Sequence, residues 1–323
     1  MLADERVNLS IIIPALNEEA NLPRLFQSID RVLADVAVCE ILVVDNGSTD
    51  KTIQLSRDCG AKVLDSSGSI AYSRNYGAQE AQSEVLVFLD ADVELTEEWG
   101  RTIRETVDLI GSEPDCVTGA WYKVRKDGSA LERYWFGPLE SGPHSHINAG
   151  NLLLAKEKFL ELGGFDESMV TGEDYEFTRR AMRLGCSIRE NEQLAVIHHG
   201  YPTGLGEFLR REVWHGLGDY RSLRSALASK VAVLAFLFAS LLLASGTVLA
   251  LGRIALAGIL LSAALGIPFL ASLAKYRRFG PLVVVVNTYF YGWYFLARFF
   301  AMLVSVFGFR WRSRHTVHTE RGS

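Results

Sequence analysis

The 323-residue sequence predicts an α/β domain followed by a membrane domain. In the first 230 residues, short β-branched runs alternate with amphipathic helical patterns, and two uncharged runs of about 20 residues follow. Charge is also unevenly distributed, because residues 1–230 carry 24 basic and 37 acidic side chains, whereas residues 231–323 carry nine basic and one acidic. A chain that is 49% hydrophobic is not disordered, and its acidic first part is a poor candidate for binding nucleic acid.

The first predicted strands are nearly continuous apolar runs, at residues 9–14, 40–45, 62–64 and 85–90. Helical patterns separate them, at residues 22–29 and 69–81, with a further helix start at 48–50. This alternation predicts a parallel sheet covered on both faces. Ligands of such sheets bind outside the carboxyl ends of the strands, and these ends carry Asn17, Asp45, Asp90 and Asp92.

Further along the chain, glycine-rich segments flank a predicted strand at 152–154 and a short helix at 156–162. Glu173 and Asp174 open another helix, because an amphipathic pattern follows them directly. The same order of elements therefore continues beyond the first four strands.

Seven short motifs in this region resemble those of glycosyltransferase family 2 and occur in the same order. They are IIIPALNE at 11–18, VVDNGSTD at 43–50, SRNYG at 73–77, LDAD at 89–92, NAGN at 148–151, GGFDE at 163–167 and GED at 172–174. The resemblance covers roughly residues 8–220. It implies a GT-A fold, a nucleotide-diphospho-sugar donor, a divalent metal ion and inversion at the anomeric carbon, in a catalytic domain of residues 1–228.

Asp90 and Asp92 come where a strand ends, so both carboxylates can reach one point at the sheet edge. Mg²⁺ or Mn²⁺ held by one or two carboxylates and by phosphate oxygens would neutralise a departing diphosphate. Asp92 is the better candidate for a metal ligand, and the resemblance implies that Asp90 contacts the ribose or uracil. The alternative is an acid pair that caps a following helix.

Three strand-end segments are candidates for holding the donor. Asp45 could accept hydrogen bonds from a base or ribose, or it could only form a turn with its own backbone. The first strand-end loop lies beside it and contributes Pro14, Asn17 and Glu18. The resemblance implies that Arg74 lies near the diphosphate, and the alternative is a solvated surface arginine.

Glu173 and Asp174 are the candidates for acid–base chemistry. An acceptor hydroxyl must lose its proton as it attacks the anomeric carbon, so a positioned carboxylate is required. The resemblance assigns this role of general base to Asp174, with Glu173 orienting its neighbours. Alternatively, the two acids only complement the dipole of the helix that they open.

Two other pairs have weaker signals. The resemblance implies that Gly150 and Asn151 frame the acceptor side, although packing explains them equally well. A histidine that follows a short strand can approach a metal, and His198 and His199 both qualify. Adjacent strand residues point to opposite faces, so at most one of the two could be a ligand.

The segment 208–215 resembles a loosened form of the Gln-x-x-Arg-Trp signature of processive synthases, but the leading glutamine is absent. Arg210 or Arg211 could hold diphosphate, and Trp214 could form a platform for the acceptor. The alternative is an amphipathic helix lying on the bilayer, with its arginines among the lipid head groups.

Residues 229–309 form the predicted membrane domain. The runs 231–251 and 254–274 are each long enough to cross a bilayer, and the short gap between them predicts a helical hairpin. The third apolar stretch, 281–309, contains Arg298 and is expected either to span or to be re-entrant. Residues 310–323 form a basic tail.

The expected protein is a multi-pass enzyme of the inner (plasma) membrane with its catalytic domain in the cytosol, because the start of the chain lacks a signal-like apolar run. It would transfer sugar to a hydroxyl acceptor, a lipid-linked or cell-envelope glycan, with nucleotide-sugar, acceptor and membrane lipids as partners and no nucleic acid. One alternative is a polyprenyl-phosphate glycosyltransferase, whose anionic acceptor needs no general base. The other is a non-catalytic, nucleotide-binding assembly subunit.

Overall fold

The computed structural model of the protein describes residues 7–34, 37–140, 144, 146–169, 171–220 and 222–307. They belong to two units. The first comprises residues 1–125 and 142–201, and the second comprises residues 126–141 and 202–323. The domain boundary expected at residue 228 stays a prediction, and the basic tail lies outside the described residues.

The first unit contains a seven-stranded sheet with the strand order β3-β2-β1-β4-β7-β6-β8. The strands are β1 (Val7–Ala15), β2 (Ala37–Asp45), β3 (Lys62–Asp65), β4 (Val85–Leu89), β6 (Cys116–Gly119), β7 (Asn151–Ala155) and β8 (Ser187–Glu190). β1 pairs in parallel with β2 and β4, but β7 is antiparallel to both β4 and β6. The four strands from which a parallel sheet was predicted are parallel, and the sheet becomes mixed at β7. A strand buried on both faces is continuously apolar whichever way it runs.

Helices cover this sheet: α1 (Leu22–Leu33), α2 (Thr52–Asp58), α3 (Ile70–Glu80), α4 (Glu97–Ser112), α5 (Lys156–Glu161) and α6 (Glu173–Arg183). Ser69 caps α3 by accepting a hydrogen bond from the backbone of Tyr72. The helix start expected at 48–50 lies later, because the Asp50 carboxylate accepts bonds from the backbone and hydroxyl of Thr52 and forms a turn there.

Both faces of the sheet are buried, as predicted. Ile11 and Ile13 belong to one hydrophobic cluster, and the intervening Ile12 belongs to another. Alternate residues of a strand point to opposite faces, so β1 separates two cores. Such burial makes the middle of the sheet rigid and leaves its edge as the place for polar side chains.

A small second sheet lies in the same unit. β5 (Val93–Glu94) pairs antiparallel with β9 (Ile197–His198), and Val93 faces His198 in the register. β5 begins directly after Asp92, so this pairing brings a distant histidine segment to the end of β4.

The second unit is helical: α7 (Leu205–Leu217), α8 (Leu223–Ala228), α9 (Lys230–Ala250), α10 (Ile254–Tyr276) and α11 (Pro281–Phe307), with a π-helical turn at Glu132–Phe136. α9, α10 and α11 are long and apolar enough to cross a membrane. The predicted hairpin of α9 and α10 is present, and in it the Ser245 hydroxyl donates to the carbonyl of Ala257 at 2.8 Å.

Candidate active site at the strand ends

The predicted polar residues of the first unit meet at one edge of the large sheet. Asp45 ends β2 opposite Ala15 of β1, and Asp90 follows β4. The backbone of Asp90 donates to the carbonyl of Gly150 at 3.2 Å, immediately before β7. Because β7 is antiparallel, its amino end joins the carboxyl ends of the other strands.

Arg74 is the centre of the charge network at this edge. Its Nη2 lies 2.6 Å from Asp90 Oδ1 and its Nη1 lies 2.7 Å from Glu173 Oε1. The arginine side chain is only 3% exposed, so the alternative of a solvated surface arginine is wrong. A buried guanidinium needs such partners, and here it joins the end of β4 to the start of α6.

Asp90 uses both carboxylate oxygens, because the hydroxyl of Tyr122 donates to Oδ2 at 2.8 Å. Burial alone would raise the pKa of Asp90, but the charge of Arg74 and the hydrogen bonds from Tyr122 and Arg74 outweigh it and keep this pKa below its usual value. Asp90 is therefore a fixed anion whose oxygens are already occupied.

Asp92 has the opposite environment. Its Oδ1 is buried and has no hydrogen-bond partner within the part of the chain that the structure describes. Burial and the nearby charge of Asp90 raise the pKa of Asp92 to about 7. An orphaned, desolvated carboxylate oxygen of this kind suits a cation.

The structure distinguishes the two candidate histidines. His198 Nε2 lies 3.4 Å from Asp92 Oδ2, whereas His199 Nε2 lies 3.0 Å from Glu94 Oε2. The His198 ring also stacks on Tyr122, with centroids 4.7 Å apart. The β5–β9 register produces this arrangement, and it was not readable from two adjacent histidines in the sequence.

Two glycines leave room for the two aspartates. A Cβ atom at Gly150 would lie 2.1 Å from Asp90 Oδ2, and one at Gly200 would lie 1.8 Å from Asp92 Oδ2. Both distances are far below van der Waals contact. Gly150 is thus explained by the close approach of Asp90, and Gly200 was not predicted at all.

The turn that follows Asp45 and the loop that follows β1 are joined by hydrogen bonds. Asp45 Oδ2 accepts hydrogen bonds from the backbones of Gly47 and Ser48, which supports the turn alternative, but its buried Oδ1 has no partner among the described residues. Asn17 has a positive φ of 58° and accepts a bond from the backbone of Thr49 at 2.8 Å. Asp45 can therefore hold the turn and still present one oxygen to a ligand.

Glu18 adds negative charge to this edge. Burial and the charges of Asp92 and Asp90 together raise the pKa of Glu18 to about 7, although a hydrogen bond from Asn21 lowers it. Pro14, half-buried, lies one residue before the end of β1. The region contains three carboxyl groups, those of Glu18, Asp90 and Asp92, and the single positive charge of Arg74. It therefore favours a cation.

Asp174 lies at the start of α6, as predicted, and its side chain is 23% exposed. His146 Nε2 lies 3.8 Å from Asp174 Oδ2, and the carbonyl of His146 accepts a bond from the indole of Trp121 at 3.1 Å. The Trp121 ring stacks on His144 at 4.1 Å. An accessible carboxylate beside aromatic surfaces can receive a proton from a bound hydroxyl compound.

Asn151 is explained by packing. Its side chain is completely buried, accepts a bond from the indole of Trp99, and donates to the carbonyls of Ala120 and Leu194. All of these bonds stay inside the fold, and none is directed to a ligand. The structure therefore supports the packing alternative for this residue.

Arg211 and Trp214 lie on α7, which belongs to the second unit. The Arg211 guanidinium pairs with Glu212 at 2.6 Å and lies 5.0 Å from the centre of the Phe136 ring. These contacts fit the amphipathic-helix alternative, and the assignment of either residue to diphosphate or acceptor stays a prediction.

Tyr122 and His146 were missed by sequence reasoning. Tyr122 follows β6, which runs parallel to β4 because β7 is antiparallel to both. A sequence argument that had recognised β6 would have placed Tyr122 at the same edge. His146 lies in a loop, and no local pattern relates it to Asp174.

The side chains of this site could hold a divalent metal ion only if a bound substrate supplied further metal ligands. Among the described residues, no group of three His, Cys, Asp or Glu side chains could hold an ion. Asp92, with its orphaned Oδ1, and the neighbouring His198 supply two donors. Mg²⁺ commonly takes one or two protein carboxylates and completes its shell with substrate phosphates and water.

Comparison with known proteins agrees with this geometry. Residues 10–161 match the family described as Glycosyl transferase family 2. The chain is 27% identical over 229 residues to the glycosyltransferase AglE of Haloferax volcanii, covering 65% of this chain and 72% of that protein. It is 26% identical over 267 residues to the pre-mycofactocin glycosyltransferase of Mycobacterium tuberculosis, covering 77% of this chain and about half of that protein, 54%.

The fold is also similar to that of a solved structure, the mannosyltransferase PcManGT from Pyrobaculum calidifontis in complex with GDP-Man and Mn²⁺. The TM-score is 0.53, and the alignment covers 95% of this chain and 89% of that one. Sequence identity is 15%, so this likeness concerns the fold alone.

Proposed function

We propose, from the match of residues 10–161 to Glycosyl transferase family 2, that the chain transfers a sugar from a nucleotide-diphospho-sugar to a hydroxyl group of a lipid-linked or cell-envelope glycan. The observation that carries this proposal is the contact of Arg74 with both Asp90 and Glu173. This contact connects Asp90, on the proposed donor side, to Glu173, which precedes the proposed general base Asp174.

On the donor side, Asp92 and His198 would hold Mg²⁺ or Mn²⁺, and the bound ion would neutralise the diphosphate as it leaves. Asp45 would accept a hydrogen bond from the nucleoside through its unpartnered Oδ1. Pro14, Asn17 and Glu18 would border the same ligand. The excess of acidic side chains supports this assignment, because a diphosphate alone would be repelled there.

In the transfer step, the acceptor hydroxyl attacks the anomeric carbon while Asp174 accepts its proton. The bond between that carbon and the diphosphate oxygen breaks, and the nucleoside diphosphate departs with the electron pair. Attack on the face opposite the leaving group inverts the anomeric configuration. A positioned general base contributes typically 10²–10⁴-fold to such a step.

Arg74 and Glu173 are positioning residues in this proposal. Arg74 holds the Asp90 carboxylate at one end and Glu173 at the other. This fixes the start of α6, and with it Asp174, relative to the end of β4. Preorganisation of this kind lowers the cost of aligning the reacting groups.

The helical unit supports action at a membrane, where a lipid-linked acceptor is concentrated near the enzyme. We infer that α9 runs outward from the cytosol and α10 returns. This orientation leaves Lys275, Arg277 and Arg278 on the cytosolic side and only Arg253 outside, in agreement with the positive-inside rule.

We further infer that α11 lies at the cytosolic interface and does not cross the bilayer, because it runs beside a charged helix. Glu212 of α7 pairs with Arg298 at 2.9 Å, and Val213 packs against Ala297 and Ala301. Beyond α7, the carbonyl of Tyr220 accepts a bond from Ser305. Residue numbers therefore increase in the same direction along α11 and along the segment from α7 to Tyr220, so the two run side by side.

The helix that accompanies α11 contains Glu207, Arg210, Arg211, Glu212 and His215. Charges at this density are too costly for a bilayer core. Reporter fusions after Gly252, after Gly280 and at the end of the chain test the arrangement. We expect an external signal only for the first fusion. An external signal after Gly280 contradicts the orientation, and one at the chain end shows that α11 spans.

The proposed activity is tested by calorimetry on the full chain in detergent, with a panel of UDP- and GDP-sugars and Mn²⁺. We expect one donor to bind in a metal-dependent way and Asp92→Asn to lose that dependence. Asp58→Asn, which changes an exposed carboxylate at the end of α2, is the matched control. Unchanged metal-dependent binding by Asp92→Asn would remove the metal assignment.

A further inference from the structure

The second unit contains a cavity of about 330 Å³ whose wall combines cationic and aromatic side chains. This volume is at the lower end of the roughly 300–1,000 Å³ typical of small-molecule sites. Residues of α7, α9, α10, α11 and the π-helical turn line it, including Trp135, Glu212, Lys230, Lys275, Tyr291 and Arg298. None of them belongs to the strand-end site.

The single acidic residue of this lining is already neutralised. Glu212 is 4% exposed, and its carboxylate lies 2.6 Å from the guanidinium of Arg211 and 2.9 Å from that of Arg298. Arg298 also lies 3.4 Å from Asp219. The two arginine partners of Glu212 therefore already exceed its single negative charge.

Lys230 and Lys275 remain uncompensated. No carboxylate in the described ranges lies within ion-pair distance of either ammonium group. Both lysines are exposed, so their ammonium groups can be reached from the cavity and from solvent. In addition, Arg298 Nε is buried and has no hydrogen-bond acceptor among the residues described. The lining thus offers three cationic donors that an anion would satisfy.

The position of the two lysines in their helices indicates at which level of the bilayer the cavity lies. Lys230 is the first residue of α9, and Lys275 lies in the last turn of α10. Because the two helices form an antiparallel hairpin, both lysines lie at the same end of it. A lysine at the end of an apolar helix lies at the level of lipid head groups.

We propose that this cavity binds the phosphate head group of a membrane lipid. Lys230 and Lys275 contact the phosphate oxygens, Arg298 contributes the third donor, and Trp135 and Tyr291 pack against the first part of the lipid chain. Basic pockets between membrane helices on the cytosolic side are a known way of holding such groups. The proposal rests on the membrane association proposed above and not on sugar transfer.

The test uses the full chain in detergent and measures lipid binding by native mass spectrometry, without a nucleotide sugar. The probes are a long-chain prenyl monophosphate, the corresponding prenyl alcohol, phosphatidylglycerol and inorganic phosphate. We expect the prenyl monophosphate to bind at least about tenfold more tightly than the alcohol, because the charged phosphate accepts charge-assisted hydrogen bonds that a hydroxyl group cannot replace.

The variant Lys230→Gln/Lys275→Gln is expected to lose that tenfold preference, and Lys230→Arg/Lys275→Arg is expected to keep it. Arg253→Gln removes a cation at the opposite end of the same hairpin and is the matched control. Equal binding of both probes by the unaltered chain overturns the proposal, as does an unchanged preference in the glutamine variant.

The remaining probes identify the source of the phosphate. Loss of prenyl monophosphate binding alone in the glutamine variant supports an acceptor-like lipid, and equal loss for phosphatidylglycerol supports a general phospholipid site. Displacement of both lipids by inorganic phosphate at low concentration overturns the lipid part of the proposal. Sugar transfer is absent from every arm, so these results are independent of the proposed activity.

Discussion

The strand-end site of the first unit and the cavity of the second unit both gather charged side chains, but with opposite balance. At the strand ends, Asp90, Asp92 and Glu18 outnumber Arg74, and the pKa of Asp92 is raised by burial and by the charge of Asp90. In the cavity, Lys230 and Lys275 exceed the charge of the already paired Glu212. The first site favours a cation and the second favours an anion.

The two regions also differ in how their charges are held. Arg74 is buried and bonded to two carboxylates, so its geometry is fixed before any ligand arrives. The lysines of the cavity are exposed at helix ends. Fixed charges suit a chemical step, which requires alignment of reacting atoms, whereas mobile lysines suit retention of a head group without precise orientation.

The largest expected effect comes from Asp174→Asn, which breaks the chemistry of the first region alone. The amide keeps the shape of the side chain but cannot accept a proton, so turnover should fall by about 10²–10⁴ while donor affinity stays nearly constant. Transfer kinetics and calorimetry of the donor measure the two quantities. Asp58→Asn should retain normal turnover, and a fully active Asp174→Asn would place the base elsewhere.

The next effect concerns stability. Arg74→Met should lower the free energy of unfolding by about 3–5 kcal/mol, because it leaves Asp90 and Glu173 buried without their partner. Arg31→Met is the matched control, since the Arg31 side chain is 44% exposed and its ion pairs are at the surface. It should cost no more than about 1 kcal/mol. Thermal unfolding of the full chain compares them, and equal losses would show that burial of the Arg74 network is unimportant.

The sequence predicted the first region far better than the second. Asp45, Asp90 and Asp92 follow apolar strands, and the position of a strand end is a local property that period and composition reveal. The contact of Arg74 with Glu173 was not predictable, because it joins residues 99 positions apart in the sequence. His198 was distinguishable from His199 only through the β5–β9 register.

In the second region, the lengths of the apolar runs correctly predicted two membrane-length helices and their hairpin. The cavity was invisible to the same reasoning. Its lining comes from the start of α9, the end of α10 and the middle of α11, together with Trp135 from a distant turn. Helix packing brings these residues together, and apolar sequences of similar composition contain little information about which faces meet.

The smallest expected effect is a pH dependence of stability, which tests the excess of acidic side chains at the strand ends. Glu18 has a pKa raised from 4.5 to about 7 by burial and by the neighbouring acids. A carboxyl group whose pKa is raised in the folded state stabilises the protein fully below the unfolded pKa and loses that contribution as pH rises through the folded pKa. The protein without metal should therefore lose stability as pH rises from about 4.5 to about 7, and this loss should be complete at pH 8.

Glu18→Gln removes this titration and should unfold at a higher temperature than the unaltered chain at pH 8 but not at pH 5. The residue is half-buried, so solvent screening limits the difference to about 1 kcal/mol, or roughly 2–4 °C. Glu84→Gln, an exposed change before β4, is the matched control and should show no such dependence. If the unfolding temperatures of both variants equalled that of the unaltered chain at pH 5 and at pH 8, the negative charge of Glu18 would not destabilise the folded protein. The contrast with the cationic cavity would then rest on geometry alone.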